Sequence, residues 1–162
     1  MAEWTRICCA IDFSDACRFA MAEAADLARR FQAQLTLVHV YEPPATAPLE
    51  PLEPGGQLLG AVWVDLERAM AAWRAEAARR SGARVRSTVR VGEAANEILH
   101  FAREDGMDLI VLGSHGDTGL RHLVLGSVAE RVVREAPCPV LVIRTKELGD
   151  ATRMASEAAE HA

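Results

Sequence analysis

The chain has 162 residues, 50% of them hydrophobic and 25% charged, with a formal net charge of -5. That is the composition of one globular domain, able to bury about two-thirds of its unfolded surface without disulfide or metal staples. Lysine and arginine total 18, and every one except Lys146 is arginine. A domain without an internal lysine excludes a Walker A loop, protein-kinase chemistry and Schiff-base catalysis. The negative balance and dispersed arginines argue against nucleic acid as a partner.

Residues 5–12 (TRICCAID) form a near-continuous apolar run, as expected of a strand buried on both faces. Cys8 and Cys9 fall within it and face opposite sides, so they read as small core residues; none of the 4 cysteines forms a C-x-x-C pair. Ser14 offers an N-cap for a helix over 15–31, with apolar residues at Phe19, Ala22, Leu27 and Phe31. A second strand is expected over 34–40. Residues 42–56 follow, where five of the 7 prolines mark an extended loop. A long helix over 57–80 carries Leu59, Val62, Leu66, Met70, Trp73 and Ala77 at helical spacing and closes at Gly82. Residues 84–91 alternate valine with polar residues, a half-exposed strand. A helix over 93–105 turns Ala95, Ile98, Leu99 and Ala102 inward, and 107–113 is another buried strand. A helix over 127–136 stops at Pro137, a last strand spans 139–144, and 147–162 is an Ala- and Glu-rich tail.

This alternation predicts an α/β fold, a doubly wound, Rossmann-like five-stranded parallel sheet with helices on both faces. Ligands of such sheets bind beyond the carboxyl ends of the strands, where the strand order reverses. The residues after the first, second and fourth strands are therefore the ones to inspect. No run is long enough to span a membrane, and the first residues lack signal-peptide regions. The expected location is the cytoplasm.

After the fourth strand the glycines fall as Gly113-x2-Gly116-x9-Gly126-Ser127. Gly113 ends a buried strand and lets the backbone turn; Gly116 opens a loop whose N–H groups can face an anion. Gly126-Ser127 begins a helix whose free N–H groups and positive dipole end favour phosphate. Such a site needs no lysine. Ser114-His115 lacks the elbow that would expose a nucleophile, no cluster has metal-ligand spacing, and no general base stands out. His39, within a strand, reads as a core histidine. His115 reads equally as a phosphate donor or a solvated loop residue.

The spacing, with Ala10-Ile11-Asp12-Phe13-Ser14, Leu37-Val38-His39-Val40 and the closing GSVAERVVREAPCPVLVIR, resembles the universal stress protein family in its ATP-binding branch. The resemblance covers roughly residues 4–145 and assigns 1–146 to a nucleotide-binding domain. It implies that Ala10, Ile11 and Asp12 line the adenosine end, Asp12 near the ribose hydroxyls, with Val40 at the adenine. Leu112, Gly113, His115 and Gly116 would wrap ribose and phosphates, while Gly126, Ser127, Val128 and Ala129 would present helix N–H groups. Some members carry proline at the position of Ala10 and a hydroxyl residue at that of Ala129. The implied function is an ATP-binding stress-response or regulatory protein with slow or no hydrolysis, any Mg2+ being held mainly by the phosphates. The alternative is a nucleotidyl- or phosphotransferase using the same site. An edge at Val140–Ile143 would pair with a second copy, as it does in the family, giving a homodimer.

Overall fold

The computed structural model describes residues 4–44, 57–114 and 125–144. Nine elements alternate along the chain: β1 (Arg6–Ile11), α1 (Asp15–Phe31), β2 (Gln34–Tyr41), α2 (Gln57–Ser81), β3 (Arg86–Val91), α3 (Ala94–Glu104), β4 (Leu109–Gly113), α4 (Ser127–Glu135) and β5 (Val140–Ile143). The strands form one parallel sheet in the order β3-β2-β1-β4-β5. The chain winds outward from β1 to β3, then crosses back to β4. The order therefore reverses between β1 and β4, and the crevice opens there.

Two cores form because successive strand side chains point to opposite faces. Ile7, Cys9, Leu35, Leu37, Leu109 and Val111 face α1 and α2, packing on Met21, Met70 and Trp73. Cys8, Val38, Ile110 and Leu112 face α3 and α4, packing on Ile98, Leu99 and Val132. Cys8 and Cys9 are thus core residues of opposite faces, and burial pushes the Cys8 thiol up to about 12.

Four of the strands are shorter than the runs that predict them, whereas β2 extends one residue further, to Tyr41. At the start of β1 and just ahead of β4, the Asp108 carboxylate accepts hydrogen bonds from the Thr5 and Arg6 amides (2.9 and 2.8 Å) and from the Thr5 hydroxyl (2.7 Å), which ties the two strand starts together. The buried face of α1 is also different from the expected one. Cys17, Ala20, Met21, Ala24, Ala25 and Ala28 are buried, whereas Phe19 and Phe31 are 55% and 44% exposed. Small side chains let the helix lie close on the sheet, and Phe31 instead meets Trp4 edge-to-face at 5.0 Å. Among the described residues of α2, Met70, Trp73, Ala77 and Ser81 are buried, and Trp63 and Val64 are exposed. The proline-rich stretch and the tail lie outside the described residues, apart from Glu42–Pro44.

Candidate functional site

A cleft of about 270 Å³ opens at the carboxyl ends of β1, β2 and β4. Ala10, Ile11, Asp12, Val40, Leu112, Gly113, Gly126, Ser127, Val128 and Ala129 all line it. Residues separated by more than a hundred positions are thereby brought to one surface. His115 and Gly116 lie outside the described residues. At the cleft the Gly126 N–H donates to the Ser114 carbonyl at 2.9 Å and the Ser114 N–H to the Ile143 carbonyl at 2.9 Å.

The β1–α1 side is built from side-chain hydrogen bonds. Phe13, at φ 64, turns the chain sharply out of β1 and leaves Asp12 at the cleft. Asp12 Oδ1 accepts from the Ser14 amide at 3.0 Å and from its hydroxyl, while Ser14 Oγ caps α1 by accepting from the Cys17 amide at 3.2 Å. Partial burial opposes ionisation of Asp12, but hydrogen bonds from Cys17 and Ser14 outweigh it and hold the carboxyl below its ordinary value. The neighbouring Cys17 thiol is pushed up to about 12, first by burial and then by Asp12, so it faces the cleft as an inert thiol.

His39 supports this corner from beneath. Its Nδ1 lies 2.9 Å from the Ile11 carbonyl, and its ring lies 4.4 Å from that of Phe13. Since a carbonyl can only accept, Nδ1 carries the proton. Burial lowers the pKa of His39 despite that hydrogen bond and the charge on Asp12. His39 is a satisfied structural histidine, as its place in a strand suggests.

The β4–α4 side is bare. Gly126 is the N-cap of α4 and makes no side-chain capping bond; Ser127 is exposed and Ala129 buried. The first-turn N–H groups of a helix have no intrahelical acceptor. At α3 that role is taken by Glu93, which accepts from Ala95 (3.2 Å) and Asn96 (3.0 Å), and by Glu42, which accepts from Ala94. Among the described residues nothing comparable serves α4. Its positive end faces the cleft with no side-chain cap among the described residues.

The turn expected at Gly113 is not seen, while Gly126 begins α4 as expected. Gly113 is in register with Ile143 as the last residue of β4, and Gly126 has φ -60 and ψ 154. Neither takes up the left-handed backbone that only glycine tolerates well, so each contributes a missing side chain rather than a special turn.

The pattern search missed Cys17, Val38, Ala94, Ile98 and Ser114, which also line the cleft. Val38 is two residues before Val40 on the same strand face, so period-two counting finds it. Ala94 and Ile98 are four apart on α3 and become visible only once α3 is placed over β2. Among the described residues no three or more His, Cys, Asp or Glu gather as a metal site, and no helix is long and apolar enough to cross a membrane.

A parallel sheet with a helix N-terminus open at its switch point defines a Rossmann-like domain with a small-molecule crevice. The universal stress protein family matches residues 3–144, and the chain belongs to that family. The universal stress protein YxiE of Bacillus subtilis is 34% identical over 153 residues, covering 83% of this chain and 95% of the relative. The structure of UspA from Lactobacillus plantarum superposes with a TM-score of 0.77 at 33% identity, covering 89% of this chain and 100% of that one. The fold is also that of an Archaeoglobus fulgidus universal stress protein solved in complex with dAMP (TM-score 0.62, 23% identity, 88% of this chain and 99% of that one).

Proposed function

We propose that the cleft binds an adenine nucleotide, ATP, and that the protein is a stress-response regulator that holds the nucleotide and turns it over slowly or not at all. The observation that carries this reading is the uncapped N-terminus of α4 on the cleft wall, beside helices whose first turns are capped by their own chain. An anion on those N–H groups supplies the missing acceptor and meets the positive end of the helix dipole. The dAMP complex of a protein with this fold supports an adenine nucleotide as the anion's carrier.

In this reading the phosphates take the N–H groups of Ser127, Val128 and Ala129, with the Ser127 hydroxyl in support. Asp12, held ionised, accepts from the ribose hydroxyls. Val38, Val40, Ala94 and Ile98 give the base an apolar bed, and Ala10, Ile11, Leu112 and Gly113 close the floor. Asp12 is the one carboxylate lining the cleft among the described residues. It already accepts from Ser14, so a divalent ion would be carried mainly by the phosphates. Residues 1–145 contain no lysine to stabilise charge in a transition state, which is why holding is favoured over turnover.

Mass analysis of small molecules released from the denatured, purified protein tests the reading. An adenine nucleotide at near-stoichiometric yield, with no turnover of added ATP above background, is expected. Preparations that hold no nucleotide and take up no ATP, ADP or AMP at millimolar concentration overturn it. Rapid turnover lost in Asp12→Asn would instead establish a transferase.

The assembly proposed is a homodimer through β5. Among the described residues this strand pairs only with β4, and Val140–Ile143 are all partly exposed. A second copy across a two-fold axis would cover both the open backbone and the apolar side chains. Sedimentation should give the mass of two chains; monomer mass at the highest soluble concentration contradicts it.

A further inference from the structure

Away from the cleft, a second concave surface follows the opposite edge of the sheet. Among the described residues β3 pairs only with β2, leaving the backbone groups of its outer side without a strand partner there. Two adjoining grooves of about 450 and 540 Å³ run between this edge and α2, sharing Ala71, Arg74 and Ser87 in their walls. Several arginines elsewhere are engaged, Arg18 with Glu76, Arg80 with Asp26, Arg90 with Glu97 and Glu104, and Arg131 with Glu93, whereas the scattered Arg30, Arg79 and Arg144 have no ion pair or hydrogen bond among the described residues. Arg74, Arg84 and Arg86 are exposed, line the groove, and have no ion pair or hydrogen bond among the described residues. Glu67 lines the adjoining groove. Three free cations against one carboxylate invert the sign of a chain whose net charge is -5.

We propose that this edge is a docking surface for an extended acidic segment of a partner protein, added to the sheet alongside β3. Open backbone supplies the affinity of strand addition, and the arginines supply the selection. Alternate residues of a strand repeat at about 6.6 Å. Carboxylates at every second position of the incoming strand therefore match Arg84 and Arg86, on the face opposite Val85 and Val89, while Arg74 flanks the other face from α2. Trp63, 40% exposed in the adjoining groove, gives an apolar side chain a place to rest. The same arginines keep a second copy of β3 away, since like charges would meet across the pair. A nucleic acid is disfavoured by the overall negative charge.

The probe is an acetylated heptapeptide alternating glutamate with threonine, titrated into the isotopically labelled full-length protein at low salt. Amide shifts confined to β3 and the facing turn of α2 are expected. Affinity should fall at least about tenfold in the double variant Arg84→Ser, Arg86→Ser. Both side chains are exposed and unpaired, so an unchanged melting temperature confirms an intact fold. A heptapeptide alternating glutamate with proline keeps the charge but lacks alternate amide donors, and should also bind at least about tenfold more weakly. Several results overturn the proposal: no shift at β3, equal binding of a lysine-threonine peptide, indifference to the double variant, or tighter binding of a single-stranded oligonucleotide. Truncation after Arg144 that raises peptide affinity about tenfold or more also overturns it, by making the tail the occupant. Self-association through β3 overturns it in favour of a second copy.

Discussion

Helices α1 and α4 start on opposite walls of one cleft, each just beyond the carboxyl end of a central strand, and their first turns are finished in opposite ways. At α1 the chain satisfies itself: Ser14 caps the helix and Asp12 holds Ser14. At α4 the cap is Gly126, with no side-chain bond. A capped N-terminus contributes to stability without a ligand, whereas an uncapped one leaves donors for something else to meet. Two βα connections of one sheet thus end differently: one helix is capped by its own chain, and the other, among the described residues, has no side-chain cap.

The sharpest way to break the contrast is to give α4 the cap it lacks. Gly126→Asp suits the backbone at φ -60 and ψ 154 and places a carboxylate on the free N–H groups. ATP affinity should fall by at least about 100-fold, roughly 2.7 kcal/mol, while the melting temperature stays level or rises slightly. Calorimetric titration and thermal melting read both. Asp12→Ala acts on the other wall and removes the proposed ribose acceptor. Its expected cost is about tenfold in ATP affinity, near 1.4 kcal/mol, measured by the same titration.

Removing the cap of α1 should do the reverse. Ser14→Ala is expected to lower unfolding free energy by about 1 kcal/mol in a urea titration and to leave ATP affinity within a few-fold. A large loss of affinity with unchanged stability would erase the distinction between the two helices. The smallest effect concerns His39, behind the α1 wall. Its pKa is lowered on folding from the usual 6.5, chiefly by burial, so the unfolded chain takes up a proton first as pH falls. Stability should therefore be level above about 6.5 and decline below it, until the folded value is reached. His39→Gln should flatten that part of the profile in urea titrations across the range.

Much of this was legible in the residues. Apolar runs separated by helical periods give the alternation of strands and helices, and the connections then dictate a parallel sheet. The spacing from Gly113 to Ser127 located the cleft's bare wall because it reflects absent side chains, which a sequence displays directly. The capped wall was harder to read. Ser14 is recognisable as an N-cap, yet the hydrogen bonds from Ser14 to Asp12 and the contact of His39 with Phe13 depend on the turn at Phe13, which no local pattern marks. Phe19 and Phe31 misled for a related reason. Hydrophobicity alone favours large residues as the buried face, whereas close packing of α1 on the sheet selected Ala20, Ala24 and Ala28. Glu42 reaches α3 across 52 positions, a partnership set by strand order and invisible along the chain.

The most direct test compares ATP with adenosine in calorimetric titrations of the wild-type protein freed of any bound ligand. Because phosphate contacts at the uncapped end of α4 carry the proposed affinity, ATP should bind at least about 100-fold more tightly than adenosine. Equal affinities for the two, or no heat from ATP at millimolar concentration, would contradict it.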